Sequence, residues 1–129
     1  PDALKKILIS FTAKKIKPVL LFGCGGERDK TKRRSMGLIA NKYASRIYVT
    51  DDNPRNENPA NIRQTILKFC SNGIEIPNRK EAIKIAVREL KINETLIIAG
   101  KGHEKIQLIN NKKIKFDDAE IVKKLINYE

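Results

Sequence analysis

The sequence predicts an α/β domain: a Rossmann-like, mostly parallel sheet flanked by helices and finished by a C-terminal hairpin strand pair. Three observations lead there. Short apolar runs of strand length alternate with amphipathic stretches of helical period along the whole chain. Three of the predicted strands run directly into loops rich in glycine, proline or charge, as strands of an open parallel sheet do at their C-terminal ends. A length of 129 residues fits one domain, able to bury a single core without disulfides or metals.

Each element has its own local signal. Residues Asp2 to Lys15 carry Leu4, Ile7, Leu8 and Phe11 on one helical face, and Pro18 ends the segment. Val19 to Phe22 reads as a buried strand leading into Gly23-Cys24-Gly25-Gly26, where the backbone is free to take positive φ or to approach a ligand closely. A helix from Lys32 to Ala44 presents Met36, Ile39, Ala40 and Tyr43, and Ile47 to Thr50 is the second strand. Asn58 is suited to cap a helix that has Pro59 at its first position and runs to Cys70. Gly73 closes that helix and Ile74-Glu75-Ile76 is a short strand. Asn78 caps the next helix, Lys80 to Leu90, with Ile83, Val87 and Leu90 inward, and Thr95 to Ala99 is the fourth strand. Ile106 to Ile109 and Lys113 to Phe116 flank Asn110-Asn111, a hairpin turn because asparagine tolerates positive φ. Asp117 caps a last helix reaching Ile126.

Composition narrows the function classes. A net charge of +12 invites a nucleic-acid reading, but the lysines are spread over every segment. Only three tyrosines and four phenylalanines are available for base stacking, so nucleic acid is not the expected partner. A basic domain serving a polyanionic small substrate fits as well. Cys24 and Cys70 make no metal-ligand spacing, and His103 is the lone histidine, so no metal site is expected. Reduced thiols imply a cytoplasmic setting. The longest apolar run, Val19-Leu20-Leu21-Phe22, is far short of the roughly 20 residues of a membrane span. No stretch reads as a signal peptide, and the opening on Pro1 is taken as the start of a piece of something longer.

In a parallel sheet the loops after strands one, two and four share one edge. They carry Glu27-Arg28-Asp29-Lys30, Asp51 to Arg55, and Gly100-Lys101-Gly102-His103-Glu104. Within the second, Asp52-Asn53-Pro54-Arg55 sets a carboxylate and a guanidinium within four residues, suited to a zwitterion. Each piece also has a plainer reading. Asp, Asn and Pro are ordinary turn residues. His103 alone suits a loop-stabilising hydrogen-bonder and Lys101 a solvated charge. A dinucleotide fingerprint would need glycine where Arg28 stands, and no G-x-x-x-x-G-K-[ST] phosphate loop is present. No Ser-His-Asp or Cys-His nucleophile arrangement can be assembled.

Taken together, Phe22-Gly23-Cys24-Gly25-Gly26-Glu27-Arg28-Asp29-Lys30, Thr50-Asp51-Asp52-Asn53-Pro54-Arg55 and Ala99-Gly100-Lys101-Gly102-His103-Glu104 resemble the C-terminal domain of the Mur ligases, in the branch that adds meso-diaminopimelate. The resemblance runs from Pro1 to Asp118, so residues 1–129 are taken as one such domain, and three motifs in order are far more specific than any one. It implies a three-domain enzyme, of which the UDP-sugar domain and the central ATP-binding domain are absent from this chain. ATP, bound with Mg2+ mainly by that central domain, would phosphorylate the carboxylate of a UDP-N-acetylmuramoyl dipeptide. The amine of the incoming amino acid would then displace phosphate to form an amide, a step in peptidoglycan precursor synthesis. By resemblance Arg28, Asp52, Asn53, Pro54, Arg55, Gly100 and Glu104 line the meso-diaminopimelate site, and lysine-adding relatives lack the arginine at position 55. A catalytically inert fragment of a monomeric, cytoplasmic enzyme is expected. Glu27 where aspartate is usual, Arg34 for proline and Asn78 for aspartate depart from the family pattern outside those contacts. The competing reading is a stand-alone module that binds an amino acid or nucleotide without chemistry.

Overall fold

A computed structural model describes residues 2–26, 30–99 and 106–111. The elements follow in the order α1 (Asp2–Ala13), β1 (Val19–Phe22), α2 (Thr31–Tyr43), β2 (Arg46–Val49), α3 (Pro59–Leu67), β3 (Ile74–Glu75), α4 (Arg79–Arg88), β4 (Thr95–Ala99) and β5 (Ile106–Asn110). The sheet order is β3-β2-β1-β4-β5. Strands β1 to β4 pair in parallel, and β5 runs antiparallel to β4. The α/β class is therefore as expected: a mostly parallel sheet with an antiparallel pair at its C-terminal side.

The strand sequences explain the layers. Val19-Leu20-Leu21-Phe22 is buried at every residue, as a central parallel strand covered on both faces must be. Alternate side chains serve opposite faces. Leu20, Phe22, Ile47, Val49 and Ile97 pack with Leu4 and Leu8 of α1, Ala40 of α2, and Ile62 and Ile66 of α3. Val19, Leu21, Tyr48, Leu96 and Ile98 pack on the other side with Ala82, Ile83, Ala86 and Val87 of α4.

Helix ends account for most boundary differences. α1 stops at Ala13, before the expected Lys15, because Lys15 takes the left-handed conformation (φ 59°). The Ile16 amide then donates back to the Phe11 carbonyl at 3.0 Å, the closing bond of a Schellman ending. Asn58 caps α3 by accepting from the Ala60 amide at 2.8 Å, with Pro59 in the first turn. That helix gives way after Leu67 to tighter turns, among them Phe69 N–H to the Ile66 carbonyl, so it ends short of Cys70. Asn78 caps α4 through the Glu81 amide at 3.0 Å.

At the C-terminal side Asn110 is the last residue of β5 rather than part of a turn. Asn111 prolongs the pairing, accepting from the Asn93 amide and donating to the Glu94 carbonyl. The expected second hairpin arm, Lys113 to Phe116, and the helix from Asp117 to Ile126 lie outside the described residues. Among the described residues no helix is long and apolar enough to cross a membrane.

Candidate functional site

Because β1, β2 and β4 are parallel, their C-terminal ends Phe22, Val49 and Ala99 lie on one edge of the sheet. The loops after β1 and β2 interlock there. The Gly26 amide donates to the Asn53 carbonyl at 3.0 Å. A Cβ on Gly26 would stand 1.8 Å from the Pro54 carbonyl oxygen, and one on Gly23 would stand 2.3 Å from that of Thr50. Only glycine permits this approach. The closeness that the sequence suggested for a ligand is made instead to the neighbouring loop.

The second loop is pinned along its length. Thr50 is buried, and its hydroxyl donates to the Pro77 carbonyl, which also accepts from the Asp51 amide. Asp51 pairs with Arg63 of α3, whose Nε also donates to Glu75 at 2.8 Å. Further on, the Glu57 amide donates to the Pro54 carbonyl at 3.0 Å and closes a four-residue turn. Arg55 occupies the second place of that turn with φ 55°, a left-handed conformation for which glycine is the default. An L-residue there costs on the order of 1–2 kcal/mol. Residues held this way cluster at ligand sites. Arg55 and Asn53 are exposed, and Asp52 and Pro54 half-buried.

Arginines from three helices grip this edge. Arg33 of α2, 5% exposed, pairs with Glu57 at 2.7 Å and donates to the Gly25 carbonyl at 3.4 Å. Arg63 holds Asp51 at the end of β2. Arg79 of α4 donates to the Ala99 carbonyl at 3.0 Å, at the last residue of β4.

Of the residues expected to line the site, Asp52, Asn53, Pro54 and Arg55 share one loop packed on the glycine-rich turn. Arg28, Gly100 and Glu104 lie outside the described residues, as do Lys101 and His103. Arg33, Arg63 and Arg79 are not among the residues the sequence singled out for this edge. For Arg33 a signal exists: it continues the Met36, Ala40 and Tyr43 face of its helix, and a cation in an apolar stripe calls for a buried partner.

The thiols are not nucleophiles. Burial pushes Cys24 up to about 12, opposed by the Arg33 charge and reinforced by Asp52, and burial pushes Cys70 up to about 11. Both stay protonated at neutral pH. The sequence has no phosphate loop, and among the described residues no three or more His, Cys, Asp or Glu cluster as a metal site.

Comparison with known proteins identifies the family. The family model for the Mur ligase, glutamate ligase domain, matches residues 1–102. A UDP-N-acetylmuramoyl-L-alanyl-D-glutamate--2,6-diaminopimelate ligase of Rickettsia bellii is 52% identical over 126 residues, covering 94% of this chain and 27% of that protein. The protein of the same name from Anaplasma marginale is 48% identical over 129 residues, covering 98% of this chain and 27% of its own length. A solved structure of a ligase with that name superposes with a TM-score of 0.71 at 35% identity, covering 99% of this chain and 27% of the other. This chain thus spans about a quarter of the length of the relatives it matches. By family model, sequence and fold alike, it belongs to the Mur ligase C-terminal domain family.

Proposed function

We propose that this chain is the amino-acid-binding domain of a UDP-N-acetylmuramoyl-L-alanyl-D-glutamate:meso-2,6-diaminopimelate ligase. The carrying observation is the Asp52-to-Arg55 loop, locked against the glycine-rich turn with Arg55 in a left-handed conformation. Its relatives are named for a diaminopimelate ligase at about half identity over almost the whole chain.

The chemistry suits that substrate. Diaminopimelate carries an ammonium and a carboxylate at each end, whereas lysine has an ammonium alone at its far end. Arg55 offers a planar, bidentate partner to the extra carboxylate. Asp52, with Glu104 and the Gly100 carbonyl, would receive ammonium groups. Asn53 and Pro54 set the loop between them, and Arg28 would stand on the first loop. A site organised for the second carboxylate disfavours lysine, because the guanidinium then loses its partner. The work of this domain is to hold one amine, in its free-base form, in line with an activated acyl carbon presented from elsewhere in the enzyme. ATP and magnesium would be held outside the described residues. The full-length enzyme is the ligase, acting in the cytoplasm, and this domain alone is inert.

The test is substrate choice in the full-length protein. Arg55→Ala should lower kcat/KM for meso-diaminopimelate by about 100-fold or more while lysine use stays low or rises. Unchanged diaminopimelate use with lysine still excluded would remove Arg55 from this role.

A further inference from the structure

We infer that Arg33 is a positioning residue for amino-acid selection: it clamps the glycine-rich loop to the Pro54–Glu57 turn and so sets where Arg55 stands. The inference rests on the reading of the site as a diaminopimelate site and adds to it a residue that touches no substrate.

The geometry runs through four contacts. Arg33 projects from α2 and is 5% exposed, so its guanidinium is fixed by its surroundings rather than by solvent. It donates to the Gly25 carbonyl at 3.4 Å, on the loop after β1. It pairs with Glu57 at 2.7 Å, on the loop after β2. The Glu57 amide in turn donates to the Pro54 carbonyl at 3.0 Å, closing the turn that holds Arg55 at φ 55°. The Gly26-to-Asn53 hydrogen bond lies between the two anchor points. A left-handed arginine persists only where its surroundings over-determine it. Releasing Glu57 would let the turn relax and carry the Arg55 guanidinium away from its working place. Both bonds leave one terminal nitrogen, Nη2, the one to Glu57 short and the one to Gly25 long at 3.4 Å. A shorter lysine would keep the charge pair with the carboxylate sooner than the long bond to the carbonyl.

The experiment uses the full-length protein with Arg33→Lys, Arg33→Met and Glu57→Gln, and Tyr48→Phe at the opposite edge as a stability control. Expected for Arg33→Met is a rise of about 10-fold or more in KM for diaminopimelate, with KM for the other substrates within about 2-fold. Arg33→Lys and Glu57→Gln should fall between it and wild type, with lysine discrimination weakened in the same order. Tyr48→Phe should lower the melting temperature without moving KM. Folded Arg33 variants with an unchanged diaminopimelate KM, or with all KM values rising together, overturn the positioning role. If wild type itself makes no use of diaminopimelate, the functional reading fails first and takes this inference with it. That outcome is distinct from a wild type that works and variants that match it.

Discussion

The two edges of the sheet use the same side-chain chemistry for different ends. At the edge where the strands begin, Arg46 donates from both terminal nitrogens to the Glu94 carboxylate, at 3.1 and 3.3 Å, and from Nε to the Tyr48 hydroxyl at 3.0 Å. The Tyr48 hydroxyl in turn donates to the Glu89 carboxylate at 2.6 Å. The groups joined there sit on, or next to, regular elements: the start of β2, the end of α4 and the residue before β4. At the edge where the strands end, Arg33 and Arg79 donate to backbone carbonyls of loop-flanking residues, and Glu57 and Asp51 sit in a loop. An ion pair between elements stabilises what hydrogen-bonded backbone already shapes. An ion pair on a loop acts on a segment with no regular ladder, held by a few single hydrogen bonds, so it has more say in the loop's shape.

That contrast predicts that damage at the loop edge changes chemistry and damage at the far edge changes stability alone. The largest effect should come from Gly26→Ala. Its Cβ would meet the Pro54 carbonyl oxygen at 1.8 Å, so one loop must move. Urea unfolding should show a loss of about 1–3 kcal/mol, the cost of overpacking. Diaminopimelate use should fall with it by about 100-fold, the cost of misplacing a site by about 1 Å. A variant with wild-type kinetics would show that the interlock of the two loops does not shape the site.

Tyr48→Phe probes the other edge and should matter less. The phenol is nearly enclosed, and its loss removes hydrogen bonds from both Glu89 and Arg46. Burial, then the Glu89 carboxylate, already holds this hydroxyl above the usual tyrosine value, so it stays a donor at neutral pH. A loss of about 1–2 kcal/mol is expected by denaturation, with KM and kcat unaltered. Altered kinetics would mean that the two edges are coupled through β2.

How much of this was legible in the sequence differs between the same two levels. Val19-Leu20-Leu21-Phe22 and Asn58-Pro59 announce their elements because strand burial and capping are local physics. The convergence of Gly23–Gly26 with Asp51–Arg55 followed from parallel topology, a global rule with few alternatives. The partners were not legible. Nothing local says that Arg33 reaches Glu57, 24 residues away, or that Arg63 bridges Asp51 and Glu75 across β2 and β3. Lys15 likewise reads as one more helical lysine, and only the backbone shows it ending α1 at positive φ. Long-range pairing of arginines depends on the assembled sheet, so the sequence supplies the charges and withholds the pairs.

The smallest expected effect is in the pH profile, and it belongs to the far edge. Burial by itself would raise the Glu94 carboxyl, but hydrogen bonds from Arg46 and from the Lys91 amide at 2.8 Å outweigh it and leave it below 4.5. In the unfolded chain Glu94 protonates near 4.5, whereas in the folded protein it still holds its charge there. The unfolded state thus takes up the proton first. The stability this group contributes is present above pH 4.5 and is lost as pH falls through its folded value. Both partners are about a quarter exposed, so solvent screens the pair. A contribution of about 1 kcal/mol or less is expected. Thermal melts of wild type and Glu94→Gln, taken from pH 7 down to well below pH 4.5, should therefore converge on the acid side, the wild type losing its advantage as Glu94 protonates. Added salt should narrow the gap at neutral pH. Parallel melting curves at all pH values would mean that Glu94 holds its place through hydrogen bonding alone, and that the far edge owes nothing to charge.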